Sequence, residues 1–384
     1  MGKTARNPYS FVFCILLVFA LCTSGVSWAG VRGGNCYPEH FKQSLKGHDI
    51  LNTYLCMLPS IYCYNWKVDA KNFESFKENY QKLFNLYGFS KFDFINERDR
   101  FSDTQVIIMS NDKMVMVVFR GSETKFNKDN FASSVRDWIT TDFAIGKTKV
   151  DKWGKGVKIH RGFYRALNLV YDDFKKKCSE HIGLTNKPLW VTGHSLGGAL
   201  ATLAAFRLET DGIAVHQIEV FGSPRVGNDK FLKAYGSKVS QIFRWVHQND
   251  LITMVPPRKV FKYCHVTRPS MIYTDGKKVL FADENNEKGK VSDHMGPDYG
   301  AALFKALPAA SQKLVPDDED SYDNYEKIIK RSQEQENELK PNGTTDGNPD
   351  RNLPILPKKP GKEAEKDKIV PPLPEKTLKL LETL

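Results

Sequence analysis

One stretch of ten residues, Leu189 to Gly198, restricts this chain more than any other. Leu189-Trp190-Val191-Thr192 is an apolar, β-rich run that enters Gly193-His194-Ser195-Leu196-Gly197 with no intervening loop. Directly after it, Ala199-Leu200-Ala201-Thr202-Leu203-Ala204 is a strong helix former. A strand and a helix joined through a G-x-S-x-G force a tight turn with the serine at its apex. The flanking glycines admit neighbouring chain, and the helix N-terminus offers free N–H groups and dipole to a developing oxyanion. Ser195 is therefore a candidate nucleophile, and the backbone N–H of Leu196 a candidate oxyanion donor.

The surrounding chain alternates strands with helices. Phe73, Phe76, Tyr80, Leu83, Phe84 and Tyr87 predict a helix over 72–87. The runs 105–109 and 113–119 predict a hairpin turning at Asn111-Asp112. Phe163, Leu167, Val170, Tyr171 and Phe174 have helical spacing, strands follow at 188–192, 213–221 and 241–247, and helices at 196–208 and 230–235. Such alternation predicts an α/β fold, a mostly parallel central sheet covered by helices.

In a hydrolase of this layout the acid and the histidine follow the serine, each after a later strand. Asp250 stands just beyond the strand ending in Trp245-Val246-His247; its rivals are Asp211, in a helix-to-strand turn, and Asp229, at a helix start where a carboxylate caps. Of the downstream histidines, His265 lies in the β-rich run 261–266 and reads as a strand residue, whereas His294 lies in a loop before a helix over 299–307. Asp250 and His294 are the stronger candidates.

From about Thr104 to Leu307 the chain resembles the class 3 lipase family, the fungal-type triacylglycerol lipases with an α/β-hydrolase fold. Six blocks carry the resemblance in order: Val118-Phe119-Arg120-Gly121-Ser122, His160-Arg161-Gly162-Phe163, the segment Thr192 to Ala201, Phe221 to Asn228, Asn249-Asp250 with Val255-Pro256-Pro257, and Asp293-His294. The resemblance implies a Ser195, Asp250 and His294 triad, a second oxyanion donor at Ser122, and lipid ester substrates. It makes 123–141 a lid, within which Val135, Trp138 and Ile139 are spaced to share one apolar helix face. This segment is longer than in typical fungal members, through the insertion 125–131. Acylglycerols, phospholipids and other esters are all open to such a triad. A catalytically silent hydrolase fold serving as a binding module is the alternative, against which the intact triad speaks.

The ends of the chain read differently. Lys3 and Arg6 precede an apolar run from Phe11 to Cys22, then Ser27-Trp28-Ala29, the layout of a secretory signal peptide over 1–29. Export leaves five cysteines, Cys36, Cys56, Cys63, Cys178 and Cys264, for which one or two disulfides are open, with Pro59 a candidate helix break between Cys56 and Cys63. Residues 311–384, rich in Pro, Lys and Glu, predict a disordered tail after a catalytic body over 30–310. Of the chain's net charge of +11, residues 30–310 carry +12 and the tail −3, so the excess belongs to that body. Nucleic-acid binding finds no motif and conflicts with export, so an anionic membrane surface is the partner the charge suggests. No metal or cofactor is expected: no Cys/His cluster occurs, and Asp283, Glu284 and Glu287 read as a solvated acidic turn.

Overall fold

Strands β2 (Asp103–Ser110) and β3 (Val115–Phe119) pair antiparallel through the turn the sequence predicts, where Asn111 Oδ1 accepts the N–H groups of Lys113 and Met114 at 2.9 and 3.0 Å. The computed structural model describes residues 34–65, 70–100, 102–121, 146–283 and 289–316, all within the first of two units into which the chain divides, residues 1–329. Val106 and Ile108 of β2 face one way and Ile107 and Met109 the other, so this hairpin is buried on both faces.

An eight-stranded sheet follows the order β1, β2, β3, β6, β7, β8, β9, β10. Its parallel centre joins β3, β6 (Leu189–His194), β7 (Gln217–Phe221), β8 (Ile242–His247) and β9 (Pro269–Ile272). Antiparallel β1 (Lys91–Arg98) and β2 extend one edge, and β10 (Lys278–Val279) extends the other. On one face lie α4 (Arg161–Ile182), α5 (Leu196–Thr210) and α6 (Asp229–Gly236); on the other lie α1 (Cys36–His40), α2 (Ile50–Tyr62), α3 (Ala70–Leu86) and α8 (Gly296–Lys305). This is the α/β-hydrolase layout. A small hairpin, β4 (Lys147–Lys149) with β5 (Lys158–His160), precedes α4; α7 (Arg258–Phe261) and α9 (Ala309–Gln312) are single turns.

Several expectations are corrected. Pro59 does not break α2, because the hydroxyl of Tyr37 donates to Leu55 O at 2.6 Å, satisfying the carbonyl for which Pro59 has no N–H. All five cysteines described are free, and burial pushes the Cys63 thiol up to about 12. The strand expected over 213–221 is confined to Gln217–Phe221, and the run 261–266 is no strand: α7 ends at Phe261 and Lys262 turns left-handed at φ 55°. The packed body passes the expected boundary at 310. Val315 is fully buried, and Tyr54 Oη donates to Pro316 O at 2.7 Å. The signal segment 1–29 and the tail from 317 lie outside the described residues.

Glu219 is fully buried in β7, accepting from Trp245 Nε1 and Gln217 Nε2 at 2.7 Å each. Burial raises its carboxyl to about 8 despite these donors. The fold thus keeps a proton that the unfolded chain, near the ordinary 4.5, has lost. Stability from this group is fully present below 4.5 and is lost as pH rises through about 8. Thermal melts across that window should show the wild-type Tm falling with pH while Glu219→Gln stays nearly flat; parallel slopes would show that Glu219 is not the titrating group.

Candidate active site

Ser195 occupies the junction between β6 and α5 with φ 60° and ψ −128°, a conformation costly for any residue with a side chain. Its N–H donates to Phe221 O at 2.9 Å, and its C=O accepts the first α5 bonds, from Gly198 and Ala199. The motif glycine Gly197 is required sterically, since a Cβ there would stand 2.0 Å from Phe119 O on the adjoining strand. The N–H of Leu196 precedes these first helical bonds and is one of the donors a helix start leaves without an intrahelical acceptor.

Asp250 and His294 are in direct contact. His294 Nδ1 donates to Asp250 Oδ2 at 2.8 Å, with both side chains buried. The same Oδ2 accepts Tyr299 Oη at 2.7 Å, and Oδ1 accepts the N–H of Ile252 at 2.8 Å, so one carboxylate orients the imidazole and caps the turn Leu251–Met254. Gly222, which follows the carbonyl that receives the Ser195 N–H, packs so closely that a Cβ would lie 2.9 Å from both Asp250 Oδ2 and His294 Cε1. The ring of His194, the residue before the serine, stacks on that of His294 with centroids 4.6 Å apart. Ser195 and the Asp250–His294 pair are thereby brought together at the carboxyl ends of β6, β7 and β8.

The segment carrying His294 is a short helical turn, Ser292–His294, in which Ser292 is exposed and His294 is buried. His194 Nε2 bonds His294 O at 2.9 Å and Tyr64 Oη bonds His194 Nδ1 at 2.7 Å. A carbonyl only accepts, so the proton of His194 sits on Nε2 and Tyr64 donates to Nδ1. Complete burial, helped by His294, holds His194 well below the usual histidine range and keeps this tautomer neutral. From the other side His247 Nδ1 donates to Asp293 O at 3.1 Å, and the N–H of Asn249 to Asp293 Oδ2 at 3.1 Å. Tyr64, His194, His247 and Tyr299 escaped the sequence reading; only His194 carried a signal, its place inside the motif.

The rejected candidates have structural posts. His265 is buried and bonds Thr253 O at 2.7 Å, Asp211 pairs with Lys175, Asp229 is exposed, and Asp283 pairs with Arg268. His160 accepts the Phe163 N–H at the start of α4, and burial lowers it to about 4, which keeps its ring neutral for that bond. The second oxyanion candidate, Ser122, and the lid candidates Val135, Trp138 and Ile139 lie outside the described residues, as do Glu284 and Glu287. Among the described residues no group of three or more His, Cys, Asp or Glu could hold a metal ion.

Residues 116–260 match the family model described as lipase (class 3). Over 137 residues the chain is 38% identical to secreted mono- and diacylglycerol lipase 1 of Fusarium solani, covering 35% of this chain and 39% of that protein. It is 31% identical over 205 residues to a lipase of Rhizopus oryzae, covering 51% and 48% respectively. The chain thus spans half or less of the length of these relatives. The crystal structure of a lipase from Rhizopus microsporus var. chinensis aligns with 67% of this chain and 92% of its own at 24% identity, with a TM-score of 0.47. The segment that holds both the Ser195 elbow and Asp250 is thus what this chain shares with the class 3 lipase family.

Proposed function

We propose that the protein is an exported serine esterase of the lipase class that cleaves carboxylic ester bonds of acylglycerols or phospholipids at a lipid–water interface. The observation that carries the reading is the buried 2.8 Å bond between His294 Nδ1 and Asp250 Oδ2, set beside a serine held in a strained turn at a helix start.

Ser195 Oγ attacks the ester carbonyl carbon while His294 Nε2 takes its proton, and Asp250 stabilises the imidazolium. The oxyanion is received by the N–H of Leu196 and, by family resemblance, by Ser122. The ester C–O bond breaks as Nε2 returns the proton to the leaving alcohol. Water, deprotonated by the same nitrogen, then attacks the acyl-enzyme and releases the carboxylic acid. Residues 135–139 serve as an apolar lid face, and the leader over 1–29 directs export.

A fluorophosphonate probe applied to the purified protein should form one adduct, mapped by mass spectrometry to Ser195, and triacylglycerols and phospholipids tested side by side should identify the preferred ester. An intact protein that neither takes the probe nor hydrolyses any ester of the panel would instead be a silent binding module.

A further inference from the structure

The surface cations of this fold are not treated alike. On α4, Lys175, Lys176 and Lys177 face Asp211, Glu180 and Asp93 at 2.8, 4.0 and 2.7 Å. The hairpin β4–β5 is different: residues 147–158 contain five lysines against the single acid Asp151, which pairs with Lys149 at 2.7 Å. Lys149 and Lys158 stand directly opposite each other across the two strands, a like-charge pairing that costs stability. Beside the hairpin, α7 and the residue after it present Arg258, Lys259 and Lys262 to solvent around Val260, an apolar side chain 48% exposed. Among the described residues none of Lys147, Lys152, Lys155, Lys158, Arg258, Lys259 or Lys262 forms an ion pair.

The two pieces make one ridge. Lys147 Nζ donates to the carbonyl of Phe261, lies 3.4 Å from that of Lys262, and sits 4.8 Å over the ring of Tyr263. Burial, with Lys158 next and Lys262 adding to it, lowers its ammonium. The ridge also lies on the active-site side of the sheet. Phe221 O holds the N–H of Ser195; further along the same chain segment the N–H of Arg225 bonds Val255 O, Val226 O holds the N–H of His160, and Gly227 O holds that of Cys264. These bonds tie β5 and the chain on both sides of α7 to the segment that leaves β7 at Ser195.

We propose that the ridge formed by Lys147–Lys158 and Arg258–Lys262 docks the enzyme on anionic lipid surfaces, with Val260 entering the headgroup boundary and the active-site end of the sheet turned toward the membrane. The inference rests on the lipid-ester reading above and deepens it by giving the interface a place on the molecule and a charge preference. Unpaired, mutually repelling cations around an exposed apolar side chain gain most from a surface of densely spaced phosphates, and each suitably placed Lys or Arg strengthens binding about fivefold near such a surface.

The test uses full-length Ser195→Ala protein, so that no substrate is consumed, with vesicles of phosphatidylcholine alone or equimolar with phosphatidylglycerol. Replacing Arg258, Lys259 and Lys262 together by Gln should weaken binding to the anionic vesicles about a hundredfold and leave the weak binding to neutral vesicles unchanged. A matched triple, Lys82, Lys175 and Lys176 to Gln, removes the same charge from carboxylate-paired sites and should change binding little. On the wild-type background, turnover of a soluble short-chain ester should be unaffected by either triple, which also reports intact folding. Equal weakening by both triples, or none by the first, would overturn the ridge and leave charge as a bulk property. Loss of ester hydrolysis by the parent enzyme with ridge-dependent vesicle binding retained would instead strike the esterase reading alone.

Discussion

Ser195→Ala is expected to lower kcat for a soluble ester by about 10⁶, the scale on which loss of the nucleophile disables a hydrolytic triad, because the remaining groups act only as one unit around it. The residual rate would come from the oxyanion donors and binding, roughly 10³ to 10⁴ over water. The fold should not notice the change. Ser195 makes no side-chain bond at the start of α5, so removing Oγ takes nothing from the helix, and alanine keeps the same Cβ in the same turn. Activity assays paired with a thermal melt decide it: near wild-type turnover by a well-folded Ser195→Ala protein would remove the serine from the mechanism.

Asp250→Asn should reduce kcat/KM by about 10⁴ while leaving the melting temperature close to wild type. The carboxylate receives three hydrogen bonds, from Ile252 N, His294 Nδ1 and Tyr299 Oη, and no donor group faces it for which an amide is the better partner. An asparagine that keeps its oxygen toward Ile252 turns its NH₂ toward His294. The imidazole then bonds best with its own proton on Nε2, the tautomer that cannot take a proton from Ser195. A loss below about tenfold would mean that Asp250 holds the turn Leu251–Met254 and nothing more.

Local features were legible in the sequence, and so were features bound to chain order. The β6–Ser195–α5 unit is contiguous, and its glycines, apolar run and Ala-rich helix each carry their own signal. Asp250 and His294 were readable because a strand-following acid and a later histidine must succeed the serine in this layout. Strand β1 escaped because Phe92, Phe94 and Ile95 are set among charges on a sheet edge, and β9 because it has four residues and begins with proline. The reading of α2 failed at Pro59 because the group that rescues the helix, Tyr37, lies 18 residues from the carbonyl it satisfies. Tyr64 and Tyr299 carry no local pattern at all; their use is defined by partners 130 and 49 residues away.

That separation has a kinetic meaning. The bonds from Tyr64 to His194 and from His194 to His294 tie the end of α2, the elbow and the turn before α8 into one knot closed over spans of 130 and 100 residues. Contacts between such distant parts of a chain form only after the intervening loops have been closed, and they slow folding accordingly. The turn that carries His294 can therefore be fixed against the elbow only once the chain from α2 to α8 has closed on itself.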